Sequence, residues 1–293
     1  MSEVSQNKPR LWARIGIVRL LLFFVILAAV DAGCQVGLQF GRKTLPADVR
    51  NWALIAGVVL AAALMLVVYR LLVRWLEHRK VQELALLRGI PLTLAGIVAA
   101  FVVFCAMYGI FWAVGAAPAP AFVGYGHVMP FVVMAILSGV GEELIFRGCI
   151  YRLFEDSFGS LVALIVSGAL FGGLHIFNPH ATIVSSAAIA LEAGIMLGAA
   201  YAATRSLWLP IGIHMGWNFT EGGVFGAAVS GGGGGHGIVS MPLTGPDLLT
   251  GGAFGPEASL VSVALWLAIS VGLIAWTLKR GRWVPLSFHL VLG

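Results

Sequence analysis

Apolar runs of membrane-crossing length recur along this chain, and they constrain its fold more than any other feature. No residue carries a charge between Asn51 and Arg70, and none does from Gly89 to Gly126. A helical crossing of a bilayer needs about 20 mainly apolar residues. Composition agrees: 59% of the 293 residues are hydrophobic, 11% are charged, and the mean hydropathy is +0.95. A soluble domain carries about 25% charged residues. The predicted fold class is therefore all-α, a polytopic transmembrane helical bundle.

Eight spans are the most economical reading, at approximately 15–38, 53–73, 91–115, 127–150, 160–178, 182–203, 207–229 and 259–278. They group as three N-terminal helices (1–125), a core rich in polar motifs (126–230), and a Gly-rich outer loop with a last span (231–293). An even count puts both termini on one side. The Lys and Arg residues of the N-terminal tail (Lys8, Arg10, Arg14) and those following spans two, four, six and eight mark that side as cytoplasmic by the positive-inside rule. Arg42, Lys43 and Arg50, in the first outer loop, run against it.

The net charge of +5 thus reports orientation in a membrane, not a nucleic-acid surface. Cys34, Cys105 and Cys149 form no CxxC and no paired framework, so they read as small core residues. No inverted repeat of the transporter kind is visible. The stretch SGGGGGHG at 230–237 predicts a flexible outer loop, and Glu77 to Arg88 a solvated helix end.

Ionisable groups inside spans are costly and mark function by default. Asp31, Glu142, Glu143, Arg147, His175, Glu192, His214 and Glu221 are in such places. Glu143 and Arg147 are four apart, on one helix face, and should form an ion pair. Glu142 is rotated by about 100° from Glu143 and is left free for general-base work. Phe171 and His175 form a second same-face pair, and His214 and Asn218 a third. A turn at Phe158-Gly159 puts Glu142 sixteen residues before it and His175 sixteen after it. Equal arms of an antiparallel hairpin predict that these two side chains meet. A carboxylate, two histidines and an amide inside a bundle can activate water and donate to an oxyanion, the requirements of amide hydrolysis.

These residues spell EExxxR, FxxxH and HxxxN in order: Glu142 to Arg147, Phe171 to His175, and His214 to Asn218. The set resembles that of the CPBP family of intramembrane proteases, also called the CAAX protease and bacteriocin-processing or Abi family. The resemblance covers roughly the C-terminal half. It implies an intramembrane endopeptidase whose cavity opens toward the cytoplasm. Glu142 and His175 would activate water, His214 and Asn218 would stabilise the oxyanion, and Glu143, Arg147 and Phe171 would support them. The implied partners are the lipid bilayer and a peptide or protein substrate at the membrane, with or without a lipid modification, and no nucleic acid. The implied setting is a bacterial plasma membrane.

Glu142, His175 and His214 also make a three-ligand set for zinc. The absence of HExxH and the aptness of Asn218 as an oxyanion donor favour a reaction without a cofactor. Two other readings compete with a peptidase: a non-catalytic bacteriocin-immunity protein that keeps the motifs for stability, and a proton-coupled transporter. Asp31, Arg19, Glu192 and Glu221 receive no assigned role.

Overall fold

A computed structural model describes residues 16–286, so the basic tail residues Lys8, Arg10 and Arg14 lie outside the described residues. The chain is a helical bundle: α1 (Gly16–Thr44), α2 (Ala47–Leu72), α3 (Gly89–Ala113), α4 (Met129–Ile145), α5 (Arg152–Phe158), α6 (Ser160–Leu174), α7 (Ile183–Ile189), α8 (Ile195–Thr204), α9 (Trp208–Asn218), α10 (Asp247–Thr250) and α11 (Leu260–Lys279). Single π turns extend or join these helices at Val73–Glu77, Phe146–Tyr151, Ala190–Gly194 and Phe219–Val224.

Among the described residues, seven helices are long and apolar enough to cross a membrane. The expected seventh span, 207–229, is the one that falls short. Its helix runs as α9 and a π turn only to Val224, and the chain leaves it at Gly226, which has a φ of 68°. Most of α9 is buried against other helices, so it does not need a lipid-facing apolar surface. Gly96 on α3 and Gly212 and Gly216 on α9 bring these two helices into backbone contact. A methyl group on Gly212 would lie 2.2 Å from the Thr93 carbonyl oxygen, and one on Gly96 2.5 Å from the Ile213 nitrogen. Small residues of this kind replace the hydrophobic effect as the means of close packing in lipid.

The C-terminal ends of α5, α8 and α11 share one end of the bundle with the loop after α2. There Arg152 binds Glu77 at 2.6 Å, Arg79 binds Glu83 at 2.6 Å, and Arg205 bridges Glu155 and the Arg282 carbonyl. Glu77 and Glu83 have side chains only 4% and 5% exposed. The expected solvated helix end is thus a buried ionic clasp. Burial alone would raise the Glu83 pKa, but hydrogen bonds from Arg79 and Tyr69 outweigh it and hold the carboxyl below its usual range.

The opposite end carries the connection from α9 to α11. A short antiparallel pair of β1 (Ala121–Phe122) and β2 (Val239–Ser240) anchors it. Its Gly-rich stretch is pinned by backbone bonds, Gly231 to the Phe254 carbonyl at 2.7 Å and Gly235 to the Gly226 carbonyl at 2.9 Å. Asn178 also donates to the Ser230 carbonyl at 3.0 Å. Composition predicts flexibility here, but the same glycines let the backbone approach closely enough to bond to itself.

Candidate active site

Glu142 and Glu143 leave α4 just before it loosens into the π turn Phe146–Tyr151. Glu143 is fully buried and meets Arg147 at 2.8 Å, as the four-residue spacing predicts. The other guanidinium nitrogen donates to the Ala193 and Gly194 carbonyls at 3.0 and 3.1 Å. Those carbonyls belong to the π turn between α7 and α8, where the regular helical bonding is interrupted. Gly194 lets α6 pack against this turn, because a methyl group there would lie 2.7 Å from the Gly168 Cα. The Phe171 ring lies 4.6 Å from the guanidinium carbon, a cation–π contact that explains why an aromatic precedes His175 by one turn.

His214 Nδ1 lies 2.9 Å from the same Glu143 oxygen that Arg147 holds. Glu143 therefore orients both a cation and a histidine. The outward nitrogen, Nε2, points toward Glu142 Oε2 at 3.9 Å. That distance is too long for a direct hydrogen bond and suits one bridged by water. The Glu142 side chain is 33% exposed, so of the two glutamates it is the one within reach of solvent.

His175 is held by its Nδ1 to the Phe171 carbonyl at 2.7 Å, which leaves Nε2 for other partners. Asn218 donates to Ser138 Oγ at 2.7 Å, and Ser138 in turn donates to the Met134 carbonyl at 2.8 Å. Phe171, His175, His214, Trp217 and Asn218 line one cavity together with Ser230 and Glu257. Its volume is ≈ 20 Å³, room for about one water molecule.

All seven motif residues thus gather in one place. The meeting of Glu142 with His175 does not follow: no hydrogen bond or ion pair joins them among the described residues, and His214 is the partner of Glu142 instead. The turn itself falls where expected, between Phe158 and Ser160, with Gly159 at φ 85°. The difference comes from the arms. One contains the π turn Phe146–Tyr151, which advances less per residue than an α-helix, whereas the other is regular α-helix from Ser160 to Leu174. Equal residue counts then no longer give equal heights.

Among the described residues, no three His, Cys, Asp or Glu side chains converge as a metal-binding group. Both histidines have Nδ1 fixed by an acceptor, an arrangement that suits a metal ligand and a proton-accepting histidine alike.

Three residues that line the cavity or bond to its lining have no motif to announce them. Ser138 precedes Glu142 by four positions, a spacing that could have flagged it. Ser230 and Glu257 arrive from the loop, where no periodicity operates. Glu257 accepts from Trp217 Nε1 at 3.2 Å and also from the Ser230 amide. Glu221 stands behind it, accepting from the Glu257 amide at 3.3 Å. Glu192 is buried away from the cavity and receives the Ser262 hydroxyl. Arg205, thirteen residues further on, pairs with Glu155.

The cavity lies toward the loop end of the bundle, opposite the ionic clasp. His175 closes α6 at that end, and Ser230 and Glu257 belong to the loop itself. Residues 124–220, which hold every motif position, match the family model described as type II CAAX prenyl endopeptidase Rce1-like. No curated protein and no solved structure matches the chain.

Proposed function

We propose, from the premise that residues 124–220 form a domain of the Rce1-like type II CAAX prenyl endopeptidase family, that this integral membrane protein hydrolyses a peptide bond inside its bundle by water held between Glu142 and His214. The family implies a protease acting on a peptide or protein substrate at the membrane. The observation that carries the finer reading is the chain from Arg147 through Glu143 and His214 to Glu142, with its one gap of 3.9 Å.

In this reading Glu143 plays the orienting part that a buried carboxylate plays behind a catalytic histidine. It fixes the His214 ring so that Nε2 faces the water, and Arg147 holds Glu143 in place. Glu142 accepts the proton as the water oxygen attacks the scissile carbonyl carbon. The carbonyl oxygen gains negative charge and takes a hydrogen bond from the Asn218 amide N–H not given to Ser138, while His175, whose Nδ1 proton goes to the Phe171 carbonyl, presents Nε2 as an acceptor. When the C–N bond breaks, the proton on Glu142 passes to the leaving amine. The geometry thus favours His214 over His175 as the histidine that shares the water with Glu142. No step needs a metal.

The experiment is a comparison of protein N-termini in membranes of cells carrying the intact chain and the Glu142→Gln variant at equal levels. Termini that arise only with the intact chain are the expected result and would name the substrate. Identical terminal inventories would overturn the proposal and favour a non-catalytic immunity protein.

The ionic clasp, with Arg79, Arg152, Arg205 and Arg282, is assigned to the cytoplasmic side by the same rule as before. The cavity then opens on the outer side, contrary to what the family resemblance implies. Gly233 is exposed on the outer loop with open space around it, and Leu87 is 97% exposed near the clasp. Cysteine at 233 should react with a membrane-impermeant maleimide in intact cells, and cysteine at 87 only after permeabilisation. The reverse pattern would restore a cytoplasmic cavity.

A further inference from the structure

The three cations that contradict the positive-inside pattern fall beside a second pocket. Its volume is ≈ 500 Å³, within the range of about 300–1,000 Å³ usual for ligand sites. It opens between the C-terminal end of α1, the N-terminal end of α2 and the N-terminal half of α4. Two arginines reach it from separate helices, Arg42 from α1 and Arg50 from α2.

Its chemistry is graded along the bundle axis. Arg42 lies one turn outward of Leu38 on α1, and Arg50 one turn outward of Leu54 on α2. Leu137, nine residues into α4, extends the apolar wall toward the middle of the bundle. Arg50 is braced by two bonds from its guanidinium to the Leu45 carbonyl, at 2.9 and 3.1 Å. No Asp or Glu among the described residues forms an ion pair with either arginine. Snorkelling accounts for a single arginine at a helix end. It does not account for two on different helices sharing one pocket with an apolar wall.

We propose that this pocket binds an anionic phospholipid, with its phosphate between Arg42 and Arg50 and an acyl chain along Leu38, Leu54 and Leu137. Basic pockets between transmembrane helices hold lipid headgroups by this combination of charge and apolar contact. The two arginines are then retained at the outer end because they bind a ligand there, which explains the departure from the orientation rule. The site also touches the catalytic helix. Gln35, which lines the pocket, donates to Asp31 at 2.7 Å. The Asp31 carboxylate packs against Gly141, the residue before Glu142, where a methyl group would lie 2.6 Å from its oxygen. The proposal goes beyond the peptidase reading and does not depend on it.

The test is native mass spectrometry of the purified full-length chain in detergent, offered dioleoyl phosphatidylglycerol and dioleoyl phosphatidylcholine in turn. Tighter retention of phosphatidylglycerol is expected. Arg42→Gln with Arg50→Gln should weaken it about thirty-fold, since each basic group near a lipid headgroup contributes about 1 kcal/mol. Arg42→Lys with Arg50→Lys should restore most of it. Lys43→Gln removes the same charge one residue outside the pocket and should change retention by less than about threefold. Leu137→Trp should displace both lipids by filling the apolar wall. Equal retention of the two lipids would overturn the proposal, as would a Lys43→Gln effect equal to that of Arg42→Gln. Displacement of both lipids by a lipid-modified peptide, with no dependence on the arginines, would also overturn it and assign the pocket to substrate.

Discussion

Replacing Glu142 with glutamine should lower substrate cleavage by about 10²–10⁴-fold, the usual contribution of a positioned general base, and leave the fold intact. The two parts of this expectation have separate physical grounds. Glutamine keeps the size and hydrogen-bonding capacity of the side chain but accepts no proton from water. The Glu142 side chain is one-third exposed, and its one ion-pair partner among the described residues, His214, stands at 3.9 Å, so little stabilisation is lost with its charge. The measurement pairs initial rates on a substrate identified from its new N-termini with the thermal midpoint in the same detergent. Cleavage within tenfold of the parent rate, at an unchanged midpoint, would remove Glu142 from the reaction. Glu143→Gln offers the contrast, because that carboxylate is fully buried and serves both Arg147 and His214. Its loss should reduce rate and midpoint together.

What the sequence made legible is what regular helix geometry governs. Glu143 and Arg147 pair because positions four apart share a face, and α4 is still regular at Glu143. The turn at Gly159 follows from a charged, polar stretch ending in a glycine between two apolar runs. Convergence of the three motifs follows from the cost of leaving each polar group in hydrocarbon. Expectations failed where the helices depart from regularity. The π turn at Phe146–Tyr151 shifts the heights of Glu142 and His175, and no pattern of apolar residues announces it. Glu257 and Ser230 enter the cavity through a loop whose course depends on tertiary contacts. The stretch Glu77 to Arg88 reads as solvated because its partners, Tyr69 and Arg152, are remote in sequence or hidden in an apolar run.

The π turns also account for how a buried polar site is built in so apolar a bundle. Three of the four lie beside motif residues or supply their acceptors: after Glu143, under Arg147 at Ala193 and Gly194, and directly after Asn218. Each interruption frees backbone groups that a continuous helix would consume. Arg147 uses two such carbonyls, so a full guanidinium charge can be buried with a single carboxylate partner. The proposed catalytic arrangement therefore rests on backbone irregularity as much as on the motif side chains.

Arg147→Met should accordingly be the most destabilising single change in the site, at about 3–5 kcal/mol and a fall in thermal midpoint of roughly 10 °C. Methionine fills similar volume but leaves Glu143 as an uncompensated buried charge and strips the Ala193 and Gly194 carbonyls of their donor. It also removes the cation from the face of Phe171, which helps to hold the ring beside His175 and His214. The decisive measurement is a double-mutant cycle on the midpoint. Arg147→Met combined with Glu143→Gln should be more stable than Arg147→Met alone, because a neutral partner needs no buried counter-charge and its amide oxygen can still accept from His214. A cycle in which the two losses simply add would mean that the pair is not coupled. Arg147 would then act through its backbone acceptors alone, and the orienting role of Glu143 toward His214 would lose its electrostatic basis.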